Sequence, residues 1–290
     1  MRRQLKALLW RRLPWAMLIQ RYIRQFRRLP RLRRPRTFTE HVLAKLLFDR
    51  DPKLTRFADK FAVRSYVAER LGGEEHLTTL YAAIHRPEDI ATLPLPDRFV
   101  MKPNHLSGRV KFVRDPASID RAELTSLAAS WLRENLGVES GEWAYRAIPP
   151  RVLFEELLED HGRPPKDYRF YCFNGEVRLI GVARDFMGRD PTHTFYDAEL
   201  RMIPVKQVGA RERWVPVDGD AERPPNFARM LEIVRALSTG TDFLRVDLYN
   251  IDGRIVFGEL TNYPAGGLRK YDPASFDLTL GSYWRRHQSP

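Results

Sequence analysis

The stretch Arg245-Val-Asp-Leu-Tyr-Asn-Ile-Asp-Gly-Arg-Ile-Val-Phe-Gly-Glu-Leu260 decides how this 290-residue chain is read. It has the alternation of a β-hairpin, with Asp252-Gly253 as its turn signal. A three-residue loop at Ile251-Asp-Gly253, with Gly253 left-handed, sets Arg245 opposite Glu259. Arg245, Asp247, Tyr249, Phe257 and Glu259 then share one face, and Val246, Leu248, Val256 and Leu260 share the other. The second face is a core face. The first has no structural need for two carboxylates unless a cation sits between them.

Two hard anionic oxygens on adjacent strands suit Mg²⁺, which keeps some waters and otherwise takes substrate phosphate oxygens. The plainer reading is an exposed hairpin face with an Arg–Glu cross-strand pair, worth about 0.2–1 kcal/mol. A slip of one residue would separate Asp247 from Glu259 onto opposite faces. Directly after the hairpin, Thr261-Asn-Tyr-Pro-Ala-Gly-Gly267 is a polar, glycine-rich loop whose backbone can approach a ligand closely.

The net charge of +12 suggests nucleic acid until it is located. Residues 1–36 carry thirteen Lys and Arg and no acid, and the remaining chain has 36 basic against 37 acidic residues. The basicity belongs to a tail, so no nucleic-acid partner is expected. Cys172 is the single cysteine, which excludes an internal disulfide and fits a reducing compartment. No run approaches the roughly 18 apolar residues of a membrane span. Leu13 to Ile19 is apolar but short, is followed by Arg21, Arg24, Arg27 and Arg28, and lacks a small-residue cleavage site. A cytoplasmic location is expected, peripheral to the inner membrane face if the tail meets lipid.

Residues 3–28 fit a basic amphipathic helix ended by Pro30 and Pro35. Such a helix serves either an anionic membrane face or acidic glycan, or it docks on the body with its arginines in water. Residues 37–92 look helical, with Asp59 capping a helix that Gly72-Gly73 stops. A strand Arg98–Lys102, a loop Pro103–Gly108 and a strand Arg109–Val113 follow, then a helix over 121–136. Arg151–Leu158 reads as a strand. Asp167–Phe173 and Glu176–Val182 make a hairpin around Asn174-Gly175. A helix from Asn226, as N-cap, to Leu237 leads into the carboxylate hairpin. Hairpins separated by single helices argue for an α+β body with antiparallel sheets.

Lys102 ends a buried-looking strand just before Asn104-His-Leu-Ser-Gly108, where a lysine and loop N–H groups can cradle phosphates. A Walker A loop is absent. Glu155-Glu-Leu-Leu158 ends an apolar strand, as a plain strand terminus or as an adenine hinge. Asp167 and Arg169 alternate on the next strand and share a face. The histidines lack metal-ligand spacing and read as structural or exposed, His105 apart. No nucleophile elbow, zinc motif or DxD-type sugar-nucleotide motif stands out.

Taken in order, these segments resemble the ATP-grasp enzymes, and within them the TupA-like branch linked to teichuronopeptide and polysaccharide biosynthesis. The matching segments are Phe48–Leu54, Asp59-Lys60 with Val63-Arg64, Phe99–His105 with Ser107-Gly108, Glu155-Glu156, Asp167–Gly175, Arg245–Asn250, Gly258–Thr261 and Tyr263-Pro264. The resemblance implies an α+β ATP-grasp fold, with two subdomains whose antiparallel sheets sandwich ATP behind a helical N-terminal region. Its expected divisions are a basic segment 1–36, a helical region 37–97, a phosphate-loop and adenine-hinge subdomain 98–165, and a metal-hairpin subdomain 166–290.

The resemblance also implies roles. Lys60, Lys102, His105, Ser107 and Gly108 would contact ATP phosphates. Glu155, Glu156 and Leu158 would form the adenine hinge, with Asp167 on the ribose. Asp247 and Glu259 would hold Mg²⁺, with Arg245, Lys102 and Arg169 as the catalytic cations. Two departures stand out. Leu106 replaces an expected glycine in the phosphate loop. The usual Glu-x-Asn reads Glu259-Leu-Thr-Asn262, so the third metal ligand is Thr261, Asn262 or water. The implied activity is carboxylate–amine ligation through an acylphosphate, amidating a uronate or amino-acid carboxylate in cell-surface polysaccharide assembly. The expected partner is an acidic sugar or amino-acid acceptor. The rivals are a sugar kinase on the same scaffold and a nucleotide- or glycan-binding protein that has lost turnover.

Overall fold

The computed structural model describes residues 13–184, 191–209 and 221–285; the start of the expected N-terminal helix, residues 3–12, lies outside them. The chain divides into two compact units. One comprises Met1–Pro14, Asp51–Tyr66 and Leu77–Leu158, and the other Trp15–Arg50, Val67–His76 and Glu159–Pro290.

The helices are α1 (Pro14–Phe26), α2 (Phe38–Phe48), α3 (Lys53–Ala58), α4 (Ala62–Leu71), α5 (Arg121–Trp131), α6 (Leu136–Glu139), α7 (Phe227–Ser238) and α8 (Ser275–Tyr283). In the first unit, β1 (Leu80–Ile84), β2 (Phe99–Pro103), β3 (Lys111–Val113) and β4 (Val152–Glu155) form an antiparallel sheet ordered β1-β4-β2-β3. Alternation decides its faces. Phe99, Met101, Val152 and Phe154 point into a core shared with Ile84, Ile90, Leu124, Ala128 and Trp131. Lys102 and Glu155 fall on the other side of the pleat. β1 is a departure from the helical reading of 37–92. Its five residues, Leu-Tyr-Ala-Ala-Ile, are too short to show a period, and pairing with β4 decides their conformation.

In the second unit, β5 (Asp167–Phe173), β6 (Glu176–Arg184), β7 (Thr192–Tyr196), β8 (Met202–Ile203), β10 (Phe243–Ile251) and β11 (Arg254–Thr261) form a six-stranded sheet ordered β11-β10-β5-β6-β7-β8. A two-stranded sheet joins β9 (Lys206–Val208) to β12 (Lys270–Asp272). Helix α7 packs Phe227, Met230, Ile233, Val234 and Leu237, an i, i+3, i+4 stripe, against β5, β6 and β10. On the opposite face Phe173 and Phe243 meet Phe38 of α2 and Trp284 after α8. Every residue of β5 is buried, because both of its faces are covered.

Helix α2 is held at its start by a capping box: Thr37 accepts from the Glu40 N–H, and Glu40 accepts from the Thr37 N–H. Glu40 is fully buried, and also accepts from the backbone N–H groups of Arg31 and Arg36 and from the Arg28 guanidinium. The Thr39 N–H and hydroxyl donate to Asp277 of α8 at 3.0 and 2.6 Å. Helix α1 buries Leu18 and Tyr22, and the Gln25 side-chain amide donates to the Leu268 carbonyl at 2.9 Å. Among the described residues, no helix is long and apolar enough to cross a membrane.

The carboxylate hairpin forms where expected, but in a different register. Arg245 faces Thr261 rather than Glu259, and Asp247 stands directly opposite Glu259. Two features cause the change. The loop is two residues, Asp252 and Gly253, with φ of 49° and 90°, and Ile251 pairs with Arg254. An extra residue at Gly258 then makes a bulge between the Leu248–Phe257 and Asp247–Glu259 pairs. A Cβ at Gly258 would lie 3.1 Å from both the Asp247 carbonyl oxygen and the Tyr249 ring, a tight fit that favours glycine at the bulge. Toward the turn, Phe257 therefore sits opposite Leu248 and Val256 opposite Tyr249, the reverse of the expected assignment. Asn226 does not cap α7 through its side chain. Its φ is 57° and its amide donates to the Gly253 carbonyl at 3.0 Å, bracing the hairpin turn.

Candidate active site

The ionic face of the six-stranded sheet is built from three adjacent strands, each bearing an acid and a donor two residues apart. Arg245 Nε and Nη2 donate to Asp247 Oδ1 and Oδ2 at 2.8 and 2.6 Å on β10. Arg169 Nε donates to Asp167 Oδ2 at 2.8 Å on β5. The Thr261 hydroxyl donates to Glu259 Oε1 at 2.8 Å on β11. Side chains two apart on a strand project from the same face, and register aligns the strands. Glu259, Asp247 and Arg169 form one cross-strand row, Thr261, Arg245 and Tyr171 the next.

Asp167 and Asp247 are 7% and 5% exposed, so this layer is largely desolvated. Asp167, Asp247 and the half-buried Glu259 share it with the guanidiniums of Arg169 and Arg245. Burial pushes the Asp247 carboxyl up to about 7; the negative charges of Asp167 and Glu259 add to the rise, and Arg245 opposes it. For Arg245 burial works against the charge, but Asp247 outweighs it and the guanidinium stays protonated. The Oδ1 atom of Asp167 is buried without a hydrogen-bond partner. Carboxylate oxygens on adjacent strands are hard donors of the kind Mg²⁺ takes. The donor set fits the ion.

Thr261 shares the row face with Glu259, whereas Asn262 is buried just past the strand end. Gly267 of the following loop lies against α2. A Cβ there would meet the Thr39 carbonyl at 3.0 Å and the Leu43 nitrogen at 3.2 Å, so the glycine seats the loop on α2. His193 on β7, a structural histidine as expected, lies across Gly181 of β6; a Cβ on Gly181 would come 2.3 Å from its Nε2. Burial and the nearby Arg169 and Arg245 hold this imidazole neutral. A glycine inside a strand is the sequence signal of that close approach. Cys172, beneath the opposite face, has its thiol pushed up to about 12 by burial and is no nucleophile.

The first unit collects the remaining residues. Lys102 Nζ lies 2.6 Å from Glu155 Oε2, and Thr78 and Arg64 also reach Glu155, at 3.1 and 3.8 Å. Arg64 and Thr78 are partners the sequence did not mark. Glu156 closes a ring with Thr79: its N–H donates to the Thr79 carbonyl at 2.9 Å, and its carboxylate accepts the Thr79 N–H at 3.1 Å. Leu158 follows, half-buried. Lys60 Nζ donates to the Leu106 carbonyl at 2.6 Å.

The loop after Lys102 has an exposed tip, Ser107-Gly108, on buried posts. Asn104 donates to Asp59 at 2.8 Å and to the Pro149 carbonyl at 3.1 Å. The His105 ring nitrogens face Asn104 Oδ1 and the Trp131 carbonyl, each at 3.1 Å, and burial holds its pKa below the ordinary value. His105 thus points into its own unit. Leu106 is 2% exposed and belongs to the core, so it anchors the loop. Lys60, Lys102, Ser107, Gly108, Glu155, Glu156 and Leu158 fall in one unit, and Asp167, Arg169, Arg245, Asp247, Glu259, Thr261 and Asn262 in the other.

The family model described as TupA-like ATPgrasp matches residues 40–285. Comparison with curated proteins gives no match. Among solved structures, an L-amino acid ligase from Bacillus licheniformis is 17% identical, with a TM-score of 0.44, over 82% of this chain and 50% of its own. A D-alanine–D-alanine ligase from Helicobacter pylori is 16% identical, with a TM-score of 0.44, over 80% and 62%. The ATP-grasp ligase PsnB, complexed with minimal precursor, is 12% identical, with a TM-score of 0.40, over 78% and 60%. This chain therefore spans about half to three-fifths of the length of the L-amino acid ligase and PsnB.

Proposed function

Because this chain belongs to the TupA-like ATP-grasp family, we propose that it is an ATP-dependent carboxylate–amine ligase. The observation that carries the reading is the buried Asp247 standing directly opposite Glu259, with buried Asp167 on the neighbouring strand and the Arg169 and Arg245 guanidiniums on the same face. Ligation needs an activated acyl group. The acceptor carboxylate takes the γ-phosphoryl of ATP, giving ADP and an acylphosphate; an amine then displaces phosphate and forms the amide. The protein aligns the reactants and neutralises charge on the transferring phosphoryl.

Lys60 and Lys102 bind the phosphates, and the Ser107-Gly108 tip offers them backbone N–H groups. Glu155 keeps Lys102 extended along its sheet face, and Glu155 to Leu158 border the adenine. Asp247 and Glu259 would hold Mg²⁺, and the Thr261 hydroxyl shares their face. When bound, the ion offsets the negative charge of the triphosphate. Arg245 and Arg169 stabilise the developing charge. The acceptor is a uronate or amino-acid carboxylate in cell-surface polysaccharide assembly, in the cytoplasm.

A screen of uronic acids and amino acids for acceptor-dependent ADP release, with product analysis, tests this. Free phosphate plus an amide supports the ligase, and a phosphorylated acceptor means a kinase. ATP binding without turnover for any acceptor reduces the protein to a binding module. Asp247→Asn is expected to abolish turnover while the fold persists.

A further inference from the structure

We propose that residues 15–36 form a docking surface for an anionic bilayer. This goes beyond the ligase reading and does not depend on it. All eight arginines between residues 21 and 36 are exposed, and the segment contains no acid. Helix α1 fixes the display: Leu18 and Tyr22 are buried and Gln25 is tied to the Leu268 carbonyl, so Arg21 and Arg24 are left at the surface. Beyond the helix, Pro30, Arg31, Leu32, Arg33, Arg34 and Arg36 line an open cleft of about 650 Å³. Glu40 accepts the backbone N–H groups of Arg31 and Arg36, so the arginine loop is built on a fixed base.

Charge alone suits any polyanion. The exposed apolar side chains single out lipid: Trp15 is 56% and Leu29 74% exposed on the same basic segment. An indole and a leucine beside guanidiniums match the headgroup boundary, where apolar insertion and basic attraction act together. A soluble polyuronate offers the second attraction without the first. Each arginine near an anionic leaflet adds attraction that decays within a Debye length, so binding is salt-sensitive.

The test is co-sedimentation of the full chain with phosphatidylcholine vesicles, with and without a one-third fraction of phosphatidylglycerol. Binding to the anionic vesicles only, weakened by salt, is expected. The triple variant Arg24→Glu/Arg33→Glu/Arg34→Glu is expected to lower partitioning on the order of 100-fold. Trp15→Ser lowers it less, with an effect that persists at high salt. Unchanged thermal melts confirm that both variants are folded. Equal binding to both vesicles, none at low ionic strength, or a triple variant that binds like the parent overturns the proposal. So does capture by soluble polygalacturonate without vesicle binding, which would identify an acidic glycan as the partner.

Discussion

Arg245 holds both oxygens of Asp247, through hydrogen bonds of 2.8 and 2.6 Å. A divalent cation bound by Asp247 would compete with this guanidinium for the same carboxylate. Arg245→Met should raise Mn²⁺ affinity about tenfold, a gain of about 1.4 kcal/mol, by removing that competitor. The same variant should lose ADP release by about 100–1,000-fold, as expected when a preorganised charge-stabilising group is deleted. Calorimetry and a coupled ADP assay read the two effects; parallel loss of both would show that Arg245 supports the ion instead.

The Asp247 carboxyl stands near 7 in the folded chain against an ordinary value of 3.8. Between those values the native state keeps a proton that the unfolded chain has lost. Stability from this group is therefore present at the acid end of the window and falls as pH rises through about 7. A divalent cation takes the ionised form, so its affinity should climb with pH up to about 7 and then level off. Titrations in buffers of different ionisation enthalpy should show a proton released per ion below that point.

Leu106→Gly restores the residue the family pattern expects, yet it should not restore activity. The side chain is core, packed with Phe99, Met101, Trp131 and Phe154, and its loss should cost about 2–5 kcal/mol. Urea unfolding and ADP release, followed together, should both fall. A faster enzyme of unchanged stability would refute the anchoring role.

Burial alone would raise the Glu40 carboxyl, but the N–H groups of Arg36, Arg31 and Thr37 and the Arg28 guanidinium outweigh it and hold its pKa below the ordinary 4.5. Its stabilisation is present above that value and is lost as pH falls through the lowered one. Glu40→Gln should destabilise the protein by about 1.5–3 kcal/mol at neutral pH and shrink the difference from the parent in acid. Thermal melts from pH 3 to pH 7 measure both limbs.

The acids, the Asp252-Gly253 and Asn174-Gly175 turns and the apolar alternation of β5 are legible in the sequence, because each is a local signal of period two or of left-handed backbone. The register of β11 is not. Nothing short of the packing against β10 shows that Gly258 is the extra residue and not merely a small one. The burial of His105 and Leu106 is equally non-local, since it depends on α5 and on a core assembled from four strands. Arg64 and Thr78 reach Glu155 from segments about 77 to 91 residues upstream, a distance at which no spacing rule operates.

The kink at Gly258 has a bearing on how this hairpin tolerates insertions and deletions. Residues between the kink and the turn keep step with β10 on one count, and residues beyond it on another. Gaining or losing a residue pair near Asp252 would shorten or lengthen the ribbon and leave Glu259 in place. A single residue inserted between Gly258 and Glu259, or the loss of Gly258, would swing that acid to the α7 side, away from Asp247. Aligning distant homologues by counting back from the turn would therefore match the wrong acid, and the count has to restart at the glycine.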